Sequence, residues 1–482
     1  IASADALAAI GRADEAEKEY TAVIETAGVS LASAEAWYGR ARVRAQNRRF
    51  DEALRDLAMV ESQAPESRGA AAALLLRGQL LDRVGRYGEA VEIFRRLASR
   101  FPYSSLADSA RMAEIRALLS AGEMREAVTR STRYLRDVQD NPFLPVELGD
   151  DYLFNHAQTL ALARERGAAR QVLLGYLETH PDGRHVAEVY YALGQMYKDE
   201  GKIDLASSYL QQSANLRNGG EALRDAADLL LESGRFEAAI AQYQRMESSA
   251  TATAVEKQYA RARIVVALYR AGKLAEADKA AADFLSAFKD AAVAADEFAL
   301  EKGKLYFRQN DYRKAADLFD DVEDSDAPAL AALGMYWNGR CLEAQSKNAD
   351  ALGQFENTTK KYPGTEGALE ALMSIGRMHM RAEKYQDAAM TFKSVVDAGT
   401  IPEAMLKEAL NGLIRCYEEL NLADAAAEMT KRFLEAYPSD NTAFRKRVNL
   451  GVYYYQMRYF DQSITHLEGL LAEASPDDQA EI

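Results

Sequence analysis

Four basic residues recur along the C-terminal half of the chain at intervals of 36, 37 and 38 residues, namely Lys304, Arg340, Arg377 and Arg415. We call them the basic ladder. Further arginines and two large apolar side chains stand four residues from its members; these companions are Arg308, Arg381, Tyr336 and Met373. Because guanidinium and ammonium groups bind carboxylates, the row predicts a surface that binds an acidic or C-terminal carboxylate-bearing partner, with Tyr336 and Met373 as apolar anchors.

Nearby glutamates indicate a second possible role for the basic ladder, internal ion pairing. They stand seven residues before three of its four cations, at Glu297, Glu370 and Glu408. If the carboxylates reach the cations across neighbouring helices, the charges neutralise one another inside the protein. Exposed ion pairs with a partner would contribute only about 0–1 kcal/mol each, so there the charges would mainly steer and orient the partner. The sequence therefore leaves two interpretations open, partner binding and internal ion pairing.

Other residues suited to chemistry are few. The chain has two cysteines and five histidines, namely Cys341, Cys416, His156, His180, His185, His379 and His466. Only His180 and His185 lie close together, beside a Pro-Asp-Gly turn that explains them without a metal, and we expect His156 and His379 to be packed. Phosphate-binding glycine loops, nucleophile elbows and zinc-binding motifs are absent from the sequence. We expect no catalytic residue, no metal and no cofactor, so the protein is not predicted to be an enzyme.

The elements that carry these residues follow from an internal repeat. A small residue after an acidic or polar stretch recurs about every 37 residues. It is alanine in twelve of thirteen places, which are Ala16, Ala53, Ala90, Ala127, Ala169, Ala206, Ala239, Ala277, Ala315, Ala351, Ala388, Ala426 and Ser463. A period of this length is typical of an array of small, similar structural units.

Each repeat has the pattern of two antiparallel helices. Apolar residues spaced by three or four form one stripe before the turn and a second stripe around the recurring alanine. Glycine or asparagine stands between the stripes, as at Gly85 and Asn310, where a left-handed residue ends a helix. The prolines fall between repeats and interrupt no predicted helix. The small residues allow the two helices of a pair to approach closely.

The pattern resembles the tetratricopeptide repeat, with the recurring alanine at position 20, a bulky residue at position 4, glycine or alanine at position 8 and proline at position 32. This resemblance implies an all-α, right-handed α-solenoid of about thirteen helix pairs. We predict one continuous solenoid over residues 1–482, with N-terminal repeats over 1–136, a longer loop at 137–150 and C-terminal repeats over 151–482.

The resemblance also implies a function. In this family, positions 2, 5, 9, 12 and 13 of the first helix line a concave groove that binds peptides or partner domains. The basic ladder occupies position 9, while Tyr336 and Met373 occupy position 5. We therefore expect a non-catalytic scaffold that binds a protein or acidic peptide. The alternative is the recognition or regulatory arm of a larger enzyme or machine whose active domain lies outside this segment. The sequence leaves the oligomeric state open.

Composition also argues against two kinds of interaction, nucleic-acid binding and a membrane span. The net charge of −15 argues against nucleic-acid binding, and no apolar stretch is long enough to span a membrane.

Connections such as Phe101-Pro102-Tyr103-Ser104 and Tyr362-Pro363-Gly364-Thr365 are similar to those of bacterial envelope proteins with this repeat. Those include the lipoprotein of outer-membrane β-barrel assembly and the periplasmic cell-division coordinator. We expect a periplasmic or envelope location, with the cytoplasm as the alternative, and a segment of a longer protein.

Overall fold

A computed structural model describes residues 1–140, 146–217, 220–399 and 401–473. Over these residues the chain forms twenty-six α-helices and no β-strand. Odd-numbered helices are the first helices of the repeats, and even-numbered helices are the second helices. The predicted all-α architecture of thirteen helix pairs is therefore confirmed for the described ranges.

The helices group into two compact units, Ile1–Leu229 and Leu230–Ile482, with the boundary inside α13. The helices of unit 1 are α1 (Ala2–Ala9), α2 (Ala13–Thr26), α3 (Leu31–Gln46), α4 (Phe50–Gln63), α5 (Arg68–Arg83), α6 (Tyr87–Arg100), α7 (Ser105–Ser120), α8 (Met124–Gln139), α9 (Val146–Leu162), α10 (Arg166–Thr179), α11 (Val186–Asp199), α12 (Ile203–Arg217) and the part of α13 (Glu221–Glu232) up to Leu229. Within each unit, second helices pack against their own first helices, and pairs such as α6 and α7 join one repeat to the next.

Unit 2 continues the same alternation. Its helices are α14 (Phe236–Ser248), α15 (Ala254–Arg270), α16 (Leu274–Ala287), α17 (Ala292–Arg308), α18 (Tyr312–Glu323), α19 (Pro328–Ala344), α20 (Asn348–Lys361), α21 (Glu366–Arg381), α22 (Tyr385–Val396), α23 (Glu403–Glu419), α24 (Ala423–Ala436), α25 (Ala443–Gln456) and α26 (Phe460–Glu473). Successive first helices also contact one another from α15 to α23. The first helices therefore form a shared surface within this unit.

The predicted loop at 137–150 is shorter than expected. Residues 137–139 belong to α8 and residues 146–150 belong to α9. Residues 141–145 lie outside the described part of the chain. The helices on both sides therefore extend further toward the prolines of this segment than we predicted. That one continuous solenoid spans residues 1–482 stays a prediction.

The recurring small residue is buried in every repeat. The twelve alanines are fully inaccessible, and Ser463 is 4 % exposed. The glycine of position 8 has a matching role, because it faces the large residue at position 24 of the second helix. A Cβ atom at Gly339 would lie 2.5 Å from the ring of Phe355. The absence of a side chain therefore allows the aromatic ring to fill the space between the two helices.

The turn inside each pair is equally regular. Position 15 adopts a left-handed backbone in all thirteen repeats, with φ between 56° and 83°. Glycine occupies six of these positions, and asparagine occupies two at Asn310 and Asn421. Glycine adopts this conformation without a steric penalty, and asparagine tolerates it better than most residues. The left-handed helix stop predicted from the sequence is confirmed.

We expect Ala239→Leu to lower the free energy of unfolding by about 1–3 kcal/mol, because Ala239 of α14 is fully buried and a larger side chain overpacks its surroundings. The loss of stability stays close to α14, because each repeat of such an array contacts only its neighbours. Hydrogen exchange with mass spectrometry measures it residue by residue. Ala238→Leu, at an exposed position of the same helix, is the matched control. Uniform loosening along the whole chain would contradict a quasi-one-dimensional fold.

Candidate functional site

The first-helix face is the surface formed by positions 2, 5, 9, 12 and 13 of the first helices. In unit 2 it carries the basic ladder on four successive first helices, α17, α19, α21 and α23. The contacts of α19 with α17 and α21, and of α21 with α23, bring these helices side by side. The repeat therefore places the predicted cations on neighbouring helices, as their spacing in the sequence predicts.

Lys304 lies in a buried ionic cluster. Its ammonium group is 3.0 Å from the carboxylate of Glu301, which is 4 % exposed. Arg270 of α15 donates two hydrogen bonds to the same carboxylate, at 3.0 and 3.1 Å. Burial acts to raise the pKa of Glu301, but the charges and hydrogen bonds of Lys304 and Arg270 outweigh it and lower the pKa. Glu301 therefore links α17 to Arg270 of α15, and Lys304 is its partner within α17.

Arg340 is also held by internal partners. Its guanidinium donates a hydrogen bond of 2.9 Å to the hydroxyl of Tyr336, and its Nε lies 3.2 Å from the carboxylate of Glu343. The group lies 5.9 Å from the ring centroids of Tyr336, Phe307 and Trp337. Such cation–π contacts add to its stabilisation. Arg340 is thus half-buried on α19, where it has a hydrogen bond to Tyr336 and an ion pair with Glu343.

Arg377 forms the pair that the second interpretation predicts. It donates a hydrogen bond of 2.8 Å to Glu408, at position 2 of the next first helix, and one of 2.9 Å to the hydroxyl of Ser374. The companion arginines are engaged as well. Arg381 pairs with Glu343, and Arg308 donates to the carbonyl oxygens of Tyr269 and Arg270 at the end of α15. These contacts favour internal ion pairing for most of the predicted site.

Arg415 differs from the other three residues of the basic ladder. Its side chain is exposed on α23, and it forms no ion pair within 4.0 Å among the residues that the structure describes. It remains available to an external carboxylate. A binding role for the ladder as a whole stays a prediction, and Arg415 is its most accessible member.

Tyr336 and Met373 do not have the accessibility that we expected of apolar anchors. Tyr336 is 4 % exposed, and Met373 is 1 % exposed. Tyr336 packs against Phe355 of α20, and Met373 belongs to a core cluster with Phe392 of α22. Position 5 faces the second helices as much as the groove, so these side chains stabilise the fold and offer little surface to a partner.

Cavities also open on the first-helix face of unit 1. A cavity of about 500 Å³ is lined by residues of α1, α3 and the start of α5, including Tyr38 and Arg42. A second cavity of about 400 Å³ lies between α3 and α5 and also has Arg42 in its lining. We call this second cavity the α3–α5 groove. Its lining residues are Arg42, Ala45, Gln46, Leu76, Gln79, Leu80 and Arg83.

Three arginines on this face are exposed and have no ion-pair partner within 4.0 Å among the described residues. They are Arg42 on α3, Arg83 on α5 and Arg116 on α7. Position 9 of the repeat marks Arg42 and Arg116 in the sequence, but the longer row of cations in unit 2 made the basic ladder the stronger candidate. Which cations are free depends on acids supplied by neighbouring helices, and the spacing of the cations does not show this.

Both cysteines lie in packed surroundings, as do His156 and His379, for which this was expected. His156 is buried, with Nδ1 2.9 Å from the hydroxyl of Ser131, and His379 is half-buried. His185 lies 2.7 Å from Asp151. Both cysteines are free and buried. Burial raises the pKa of Cys341 to about 12 and that of Cys416 to about 11.

His156 predicts a pH dependence of stability. Burial lowers its pKa, and the charge of Glu165 opposes this shift. The folded chain therefore favours neutral histidine, so this contribution to stability is complete above the unfolded pKa of about 6.5 and is lost as the pH falls below it. We expect His156→Gln to flatten the decline in melting temperature between about pH 7.5 and pH 5. His379→Gln is the control, and an unchanged slope in His156→Gln would contradict the assignment.

The described residues form no cluster suited to a metal ion, since no group of three or more histidine, cysteine, aspartate or glutamate side chains among them is arranged to hold one. Within the same ranges, none of the helices combines the length and apolarity needed to cross a bilayer.

Comparison with known proteins shows which repeat this is. A tetratricopeptide repeat profile matches residues 1–68, 60–105, 300–365, 339–400 and 373–441, which together cover more than half of the chain. A second profile of the same repeat matches residues 187–219. No curated protein matches the sequence.

Solved structures also show similarity. A tetratricopeptide repeat protein from Parabacteroides merdae is 16 % identical, with a TM-score of 0.39; the match covers 54 % of this chain and 99 % of that one. Yeast Tom70 is 13 % identical, with a TM-score of 0.36, and the match covers 92 % and 93 % of the two chains.

Proposed function

Since the chain belongs to the tetratricopeptide repeat family, we propose that it is a non-catalytic scaffold that binds a protein partner along its first-helix face. The α3–α5 groove carries this proposal. It combines an open volume of about 400 Å³ with apolar and amide-bearing side chains. Apolar surface together with a few polar groups is the composition of surfaces that recognise other proteins. Most cations of the basic ladder, in contrast, already have partners inside unit 2.

Site-specific photo-crosslinking tests this proposal. A photoreactive amino acid replaces Gln79, which is exposed in the α3–α5 groove, or Arg55, which is exposed on the second helix α4. A third position, Arg415, probes the first-helix face of unit 2. We expect Gln79 to yield a defined protein adduct that mass spectrometry identifies and that is absent from Arg55. Equal adducts from both positions of unit 1, or an adduct from Arg55 alone, would refute binding on the first-helix face.

We also propose that the scaffold acts in a bacterial envelope complex. The support is the similarity of its inter-repeat connections to those of envelope members of the family. The side chains of Ser104 and Thr365 in these connections cap the following helices, accepting hydrogen bonds from the backbone of Leu106 and Ala368 at 3.2 and 3.3 Å. Fractionation of bacteria that express the complete gene tests the location. Recovery with the periplasmic or membrane fraction supports the proposal, and recovery with the cytoplasm overturns it.

A further inference from the structure

We propose that the α3–α5 groove binds an extended acidic peptide segment, whose aspartate or glutamate side chains pair with Arg42 and Arg83. This inference rests on the proposed function and names the chemistry of the partner at the same site. It assigns partner binding to residues of unit 1 in place of the paired cations of the basic ladder.

The three arginines of α3 differ in their contacts. Arg40 and Arg44 both bind the buried carboxylate of Asp56, at 3.0 and 2.9 Å. Arg42 points away from this cluster, and its guanidinium lies 6.0 Å from the ring centroid of Tyr38. A stacking contact orients a guanidinium but leaves its N–H donors free. The helix thus buries two arginines in an internal network and presents the third one to the groove.

The charge of the lining distinguishes the two cavities of unit 1. The α3–α5 groove has two arginines and no acidic side chain in its lining. The neighbouring cavity has Asp5 and Glu35 in its lining, although Asp5 already accepts a hydrogen bond of 2.5 Å from Tyr20. The α3–α5 groove therefore attracts an incoming carboxylate more strongly than the neighbouring cavity, where two acidic side chains accompany Arg42. In a chain with a net charge of −15, such a local excess of positive charge also orients an approaching acidic segment.

The remaining lining residues suit a peptide backbone with alternating side chains. Ala45, Leu76 and Leu80 supply an apolar floor, and the amides of Gln46 and Gln79 can both donate and accept hydrogen bonds. Packed helices lie about 8–10 Å apart, and an extended chain rises about 3.3 Å per residue. Acidic residues about three positions apart therefore match cations on successive first helices. Arg116 on α7, which contacts α5, extends the row beyond the groove.

Fluorescence anisotropy with short synthetic peptides tests the inference on the whole chain. One labelled peptide combines glutamates about three residues apart with intervening leucines, and a matched peptide has glutamine in place of each glutamate. Both peptides are blocked at their ends, so a terminal carboxylate cannot contribute. The double variant Arg42→Glu/Arg83→Glu removes the proposed contacts. Because neither arginine has an ion-pair partner in the described chain, we expect an unchanged melting temperature. Arg55→Glu, an exposed arginine on α4, is the control.

We expect the glutamate peptide to bind the unmodified chain and Arg55→Glu equally, and to bind the double variant at least about tenfold more weakly. Binding should also weaken as salt rises. Equal binding of the glutamate and glutamine peptides, no binding of either peptide, or unchanged binding to the double variant overturns the acidic specificity. Those results leave the crosslinking test intact, because a neutral partner would still form an adduct at Gln79. Loss of that adduct, in contrast, refutes the proposed function itself.

Discussion

We expect Phe392→Ala to lower the free energy of unfolding of unit 2 by about 3–5 kcal/mol. Phe392 is a fully buried residue at position 24 of α22. A Cβ atom at Gly376 or Gly412 would lie 2.7 Å from its ring, so this one side chain fills the space between α21, α22 and α23. Alanine leaves a cavity that the two glycines cannot fill. Chemical denaturation monitored by circular dichroism measures the loss.

Met390 provides the matched control for Phe392. It lies two residues away on the same helix and is 66 % exposed, so Met390→Ala should change stability by less than about 0.5 kcal/mol. A similar loss in both variants would show that α22 is sensitive along its whole length. It would contradict the packing of position 24 against the glycines of two first helices.

The second large effect concerns the buried ionic cluster that contains Lys304, the first residue of the basic ladder. We expect Glu301→Ala to destabilise unit 2 by about 3–5 kcal/mol, because it leaves the charges of Arg270 and Lys304 without their buried partner. The same denaturation experiment measures the effect. The carboxylate joins two successive first helices, α15 and α17, so hydrogen exchange should rise in both of them.

An exposed ion pair of the same unit is the control for Glu301. Glu356 pairs with Lys360 within α20 at 3.6 Å, and both side chains are accessible. Glu356→Ala should cost no more than about 1 kcal/mol. If Glu301→Ala costs as little, the cluster is not structural, and Lys304 becomes available for partner binding as its place in the basic ladder predicts.

Much of the fold could be predicted from the sequence because the repeat imposes the same local constraints thirteen times. Close helix crossing demands a small residue, which the spacing of alanines reveals. A left-handed turn favours glycine, as at Gly85, and the structure shows the same turn at Arg48 and Glu383 despite their side chains. There the regular length of the repeat, and not the residue type, identifies the turn.

The candidate site was less predictable because ion pairing depends on neighbouring helices. Arg377 and Arg415 occupy the same repeat position, yet Glu408 reaches Arg377, and Arg415 is exposed without an ion-pair partner in the described chain. The burial of Met373 has a similar origin, since position 5 can face either the groove or the next second helix. Spacing predicts which face of a helix a residue occupies, but not what covers that face.

The proposed function depends above all on where the partner binds. Two double variants, Arg42→Glu/Arg83→Glu and Arg340→Glu/Arg377→Glu, locate that surface when melting temperature and binding of the partner identified from Gln79 are both measured. We expect the first variant to lose binding at an unchanged melting temperature. The second should melt earlier and still bind, because Arg340 and Arg377 have internal partners. Lost binding with unchanged melting in the second variant, and intact binding in the first, would place the partner on the basic ladder and contradict binding in the α3–α5 groove.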